Sequence, residues 1–199
     1  MPLLDVNCAI GAHPASDAAI PDVTALVAEM DRLRVDEAIV SHSWSRHYDA
    51  TLGNEELARA LDDAPGTQRR RLIPCWTRLP DGTGEQPSGA RGADGCARIW
   101  PLDHSWSPTS NEGRALFRHL ARTRTPTLLD LDQTSWDEVD AIAADAPELP
   151  LIVCRAGYRG LRRAAGVLDR RANVLIDLSY FSSHRGVEWI VRTFGADRL

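Results

Sequence analysis

Short apolar runs alternate along this chain with stretches whose apolar residues recur at helical spacing. The first run, residues 3–11 (Leu-Leu-Asp-Val-Asn-Cys-Ala-Ile-Gly), predicts a strand that breaks off into polar side chains and then a glycine. Further strands are predicted at 37–42, 71–77, 96–100, 127–131, 150–154 and 173–179. Between them, Val23, Leu26, Val27, Met30 and Leu33 mark a helix that Pro21 can start. A polar loop over 43–52 follows, and Asn54 is expected to cap a helix through Leu61. Helices are also expected at 111–122, at 136–144 with Ser135 as cap, at 158–169 and at 186–194. Residues 81–94 are glycine-rich with little apolar content and read as a loop or a poorly formed helix.

Strand and helix in alternation argue for a parallel α/β fold. Seven strand–helix units are legible, where a closed (β/α) barrel has about eight. Residues 194–199 (Phe-Gly-Ala-Asp-Arg-Leu) read as a helix end, a glycine stop and the first residue of another strand. The expectation is a single domain over 1–199, a TIM-barrel-like (β/α) fold truncated at its C-terminus with the eighth unit missing. An open doubly wound sheet is the alternative, but Ala9-Ile10-Gly11-Ala12-His13 is not the glycine-rich phosphate turn usual there.

Composition narrows the function classes. A net charge of −5 gives no basic stripe for nucleic acid. All 23 basic residues are arginine, so no Schiff-base or carbamylated lysine can exist here. No apolar run reaches membrane-spanning length and the N-terminus carries no signal-peptide pattern, which points to a cytoplasmic protein. Cys8, Cys75, Cys96 and Cys154 lack any C-x-x-C spacing and sit in apolar runs, as reduced buried thiols would.

Five segments taken in order carry a resemblance: 3–11, 35–40 (Val-Asp-Glu-Ala-Ile-Val), 151–157 (Leu-Ile-Val-Cys-Arg-Ala-Gly), 173–179 (Asn-Val-Leu-Ile-Asp-Leu-Ser) and 194–199. Together they resemble the amidohydrolase-related (amidohydrolase 2) family of the metal-dependent hydrolase superfamily, across essentially the whole chain. The resemblance implies a site at the C-terminal strand ends and hydrolysis or decarboxylation of small carboxylates or lactones, usually with a zinc-like ion. Residue by residue, its first-strand histidines fall on Asn7 and Ala9, and a later histidine falls on Arg155. Its catalytic aspartate belongs to a strand after residue 199. Amide oxygen is a weak zinc ligand and guanidinium is none, so no cofactor is expected, or an atypical metal site.

Other polar residues crowd the expected mouth. Asp5, Asn7, His42, His104 and Asp130 are the catalytic candidates. His42 and His104 suit general-base work or, with Asp130 or Asp132, a rebuilt metal site; the plain alternative is a solvated rim. Arg155, Trp44, Trp106, Tyr158 and Ser179 are the substrate-binding candidates. Arg155 suits bidentate capture of a carboxylate, or an ion pair with Asp5, Asp130 or Asp177. The tryptophans suit a pocket wall or plain packing. Cys8 and Cys154 read as core, since on strand parity Cys8 faces away from Asn7.

Two functions remain open on these residues. One is a hydrolase of a small carboxylate or lactone, with a small organic acid as its partner molecule. The other is a catalytically inactive scaffold that binds or oligomerises, for which the two open edges of a seven-unit barrel would recruit a second copy.

Overall fold

A computed structural model describes residues 2–14, 19–80, 95–157 and 159–199. The expected loop at 81–94 and Tyr158 lie outside the described residues. The chain divides into two compact units, Met1–Arg98 and Ile99–Leu199.

In the first unit, β1 (Leu4–Ile10), β2 (Glu37–His42), β3 (Leu72–Thr77) and β4 (Cys96–Ile99) pair in chain order, all parallel. Parallel neighbours need a crossover, and helices supply it. Helix α1 (Val23–Leu33) begins after Asp22, whose carboxylate accepts the Ala25 N–H at 2.8 Å, so Pro21 stays outside it. Its buried stripe of Val23, Leu26, Val27 and Met30 packs with Ile10, Val40, Leu57, Leu61 and Trp76 in one core. Each such side chain contributes about 1.5–3 kcal/mol on burial.

The polar stretch after β2 is more ordered than its sequence suggests. It forms α2 (Trp44–His47) and the first turn of α3 (Ala50–Asp62). The α3 cap is Asp49, which accepts the Leu52 N–H at 2.8 Å. Asn54, the expected cap, lies inside the helix and is 1% exposed. Its Nδ2 donates to the Thr77 carbonyl at 3.0 Å and its Oδ1 accepts the Thr77 N–H at 2.9 Å, fixing α3 to the end of β3. A short helix, α4 (Gly66–Arg69), precedes β3.

The second unit holds β5 (Thr127–Asp130), β6 (Leu151–Cys154) and β7 (Val174–Ile176), again parallel in chain order. Helices α5 (Asn111–Arg122) and α6 (Trp136–Asp145) match the expected spans, with Ser110 and Ser135 as caps. α7 (Leu161–Arg170) and α8 (Gly186–Phe194) complete the set.

The expected helix end and glycine stop fall at Phe194 and Gly195. Residues Ala196–Arg198 then form a 3-10 turn, and Arg198 turns back to donate to the carbonyls of Val174, Leu168 and Arg171. The last predicted strand is shorter than expected. The Asp177 N–H still donates to the Val153 carbonyl at 3.0 Å, and beyond it the Asp177 carboxylate accepts the Ser179 N–H at 3.2 Å and the Ser179 hydroxyl.

Candidate functional site

In the first unit the strand ends do not follow simple alternation. β1 takes three steps from Asp5 to Cys8 while β2 takes two from Ala38 to Val40. A spacing of two would set Asp5, Asn7 and Ala9 on one face of a regular strand; the bulge instead puts Asp5 in phase with Cys8 rather than with Asn7. The exposed Asp5 carboxylate turns back to accept the Asn7 N–H at 3.0 Å. Cys8 packs against the helix-side core, as parity predicts.

Asn7 meets a residue that sequence reading passed over. Arg98, on β4 and 5% exposed, donates from Nη1 to Asn7 Oδ1 at 3.0 Å. The signal was available: a charged residue inside the buried run 96–100 must turn its head group onto a partner. Thr77, fully buried, stands opposite Arg98 in register.

His42 is not brought to the Asn7 side. It stands level with Ile10 and lines a cleft of about 330 Å³ with Ile10, Asp22, Glu56 and Arg59. The Trp44 N–H donates to its Nδ1 at 3.3 Å, so the neutral ring carries its proton on Nε2. That arrangement leaves no imidazole lone pair poised as a general base. Gly11, at φ +93, leaves room for the ring, because a Cβ there would stand 2.5 Å from Nε2.

Burial holds the His42 pKa below its usual value. The unfolded ring takes up a proton near pH 6.5 while the folded one resists it, so stability falls as pH drops below that point and the loss stops at the folded pKa. In His42→Leu, urea unfolding measured from pH 7 to pH 5 is expected to fall less steeply than in the wild type. An unchanged slope would contradict the assignment.

Trp44, 38% exposed, borders a second cavity of about 440 Å³ with His13, His47, Tyr48 and Leu52. The His13 and His47 rings meet edge to face, 4.6 Å between centroids, which suits ring packing better than joint chelation.

In the second unit the polar groups gather after β5, β6 and β7. Asp130, 1% exposed, ends β5 opposite Cys154, itself fully buried. Arg155 follows with φ +56, a left-handed backbone that costs energy in a side-chain-bearing residue. Its Nε pairs with Asp132 Oδ2 at 3.2 Å, so the ion pair expected with Asp5, Asp130 or Asp177 is made with Asp132. Its guanidinium carbon lies over the Tyr180 ring, 4.2 Å from the centroid.

The remaining candidates sit differently. Ser179 spends its hydroxyl on Asp177. His104 is half-buried edge-on to Trp100, 6.0 Å between centroids. Trp106 packs 6.3 Å from Phe117, and Trp100 and Trp136 are buried, so these three rings serve packing.

The residues present do not fit the metal centre that the resemblance implies. Asn7 has one acceptor atom, and Arg98 donates to it, so a cation held there would face a fixed positive charge. The resemblance sets a later ligand on Arg155, whose guanidinium is itself a cation. Among the described residues, no three His, Cys, Asp or Glu side chains gather closely enough to hold a metal. No described helix is long and apolar enough to cross a membrane.

No family model matches the chain, and no curated protein matches it by sequence. Solved structures do match in fold. Amidohydrolase 2 from Bifidobacterium longum subsp. infantis aligns over 98% of this chain and 82% of its own, at TM-score 0.65 and 17% identity. A 5-carboxyvanillate decarboxylase from Novosphingobium aromaticivorans, complexed with manganese and a nitrobenzoic acid, aligns over 99% and 84%, at 0.66 and 16%. A 4-oxalomesaconate hydratase from Rhodopseudomonas palustris aligns over 98% and 79%, at 0.68 and 13%. The fold is thus of the TIM-barrel (β/α) type, with seven parallel strands among the described residues.

Proposed function

We propose that this chain is an amidohydrolase-like barrel protein that binds a small organic carboxylate at the C-terminal strand ends, with Arg155 as the anchor and without an imidazole-held metal. The observation that carries the reading is the Arg155 site. A guanidinium is fixed at the end of β6 by a strained backbone, the Asp132 carboxylate and the Tyr180 ring. Guanidinium binds carboxylate through two parallel N–H···O bonds, and strain held at a strand end is common at binding sites. Neighbours of this fold that act on small acids support the ligand class.

Asp130 is the proposed polar partner inside the second unit, since it is the buried carboxylate at the end of β5. Hydrolysis of the bound acid or its lactone is the enzymatic form of this reading. The alternative is binding without turnover, and the Arg98–Asn7 contact favours it, because it occupies the acceptor that a reacting centre of the implied family would use.

Thermal unfolding of protein dialysed against a chelator tests the proposal. Millimolar small carboxylates are expected to raise the Tm, as any ligand of the native state does. A rise seen only after manganese is added back, or with no carboxylate tried, would overturn it.

A further inference from the structure

The cleft beside His42 has a chemistry of its own. His42 stands level with Ile10, whose side chain packs in the helix-side core, so the imidazole turns toward the helices. The ring is 8% exposed, and its Nδ1 is engaged by the Trp44 N–H. Its Nε2–H meets no acceptor among the described residues. A Cβ on Gly11 would stand 2.5 Å from that nitrogen, so the glycine keeps it uncovered. A buried donor without an acceptor is costly, and a ligand can supply one. Glu56, Arg59 and Asp63, which share one stripe of α3 and its C-cap, line the same cleft of about 330 Å³. Arg59 pairs with both acids. Asp22 and Gln68 line it too, and Gln68 Oε1 is shut off from solvent with no donor among the described residues.

We propose that this cleft binds a small hydroxylated amine, an amino sugar being the ring-sized example. Asp22, Glu56 and Asp63 outnumber Arg59, so the cleft repels an anion and draws in a cation. The ammonium donates to Asp63 and to Gln68 Oε1. A hydroxyl serves His42, because it accepts the Nε2–H and gives its own hydrogen to Glu56. A carboxylate has no hydrogen to give Glu56, and a plain alkylammonium has no acceptor for His42. The volume stands at the lower end of ligand pockets and suits one ring, whose C–H face meets Ile10 and Ala60. Arg155 takes no part, so this site is independent of the carboxylate site.

Glucosamine, glucose and cyclohexylamine, one ring each, separate the two contacts, since glucose lacks the amine and cyclohexylamine the hydroxyls. Each is titrated in an amine-free buffer just below neutral pH, and binding is read by NMR from the backbone amide signals of the cleft. Wild type should bind glucosamine about tenfold more tightly than either analogue, the size of one charge-assisted hydrogen bond. Its His42 imidazole signals, identified by their loss in His42→Leu, should move with glucosamine. Asp63→Asn changes a largely exposed side chain and is expected to fold; it should bring glucosamine down to the level of glucose. His42→Leu should bring it down to that of cyclohexylamine, and circular dichroism checks the fold of both variants. Equal affinities for the three molecules in wild type, an advantage of glucosamine that survives in Asp63→Asn, or no binding of glucosamine would overturn the site.

Discussion

Asn54→Ala is expected to destabilise the first unit by about 3 kcal/mol and to lower the Tm by roughly 6–12 °C. The Asn54 amide pairs with both the N–H and the C=O of Thr77 at the end of β3, and both residues are buried. Alanine removes the two bonds together and leaves a donor and an acceptor stranded away from water, each costing about 1–3 kcal/mol. Asn54→Asp should be no rescue, because it keeps the acceptor but introduces a buried charge. Urea unfolding followed by circular dichroism measures the effect. A change below about 0.5 kcal/mol, the range of neutral surface substitutions, would contradict the clamp.

The second large effect concerns ligand binding. Arg155→Ala is expected to abolish the Tm rise given by any carboxylate that protects the wild type. A hydrogen-bonded ion pair carries about 1.5–3 kcal/mol per charged bond, so losing a bidentate pair weakens binding by roughly a hundredfold or more. The same substitution should change stability little, because Arg155 and Asp132 are both partly exposed and such pairs contribute about 0–1 kcal/mol. Large destabilisation with ligand protection retained would mark Arg155 as structural.

Much of the architecture was legible in the sequence because it depends on periodicity. Strands β2 to β6 and helices α5, α6 and α8 lie within a residue or so of their apolar patterns. The failures have local causes. Asn54 has the chemistry of a cap, but Asp49 begins the helix earlier, and the true role of Asn54 depends on Thr77, 23 residues away. Asp5 and Asn7 look coplanar on a strand, yet a one-residue bulge shifts their phase, and no residue type announced it.

The candidate site was read less completely than the fold. Arg155 stood out because an arginine directly after the apolar run 151–154 must turn its charge onto a partner or a ligand. Arg98 was equally charged and equally central, but its partner Asn7 is 91 residues away and only pairing of the strands unites them. Tyr180 gave no signal at all, since its contact with Arg155 depends on two left-handed residues in separate loops. His42 carried the right chemistry, but a backbone N–H two residues on took its lone pair.

The Asn7–Arg98 contact gives the first strand a changed polarity. Where histidines would offer lone pairs to a cation, this chain puts an amide oxygen under a guanidinium. In the second unit Arg155 likewise sets a fixed positive charge after β6, and such a charge repels a metal ion and attracts an anion.

Calorimetric titration of small carboxylates into chelator-treated wild type and Arg155→Ala decides whether Arg155 is a metal-free anchor. Binding to the wild type without added metal, and none to Arg155→Ala, is the expected result. Binding that requires manganese, or that is equal in the two proteins, would contradict it.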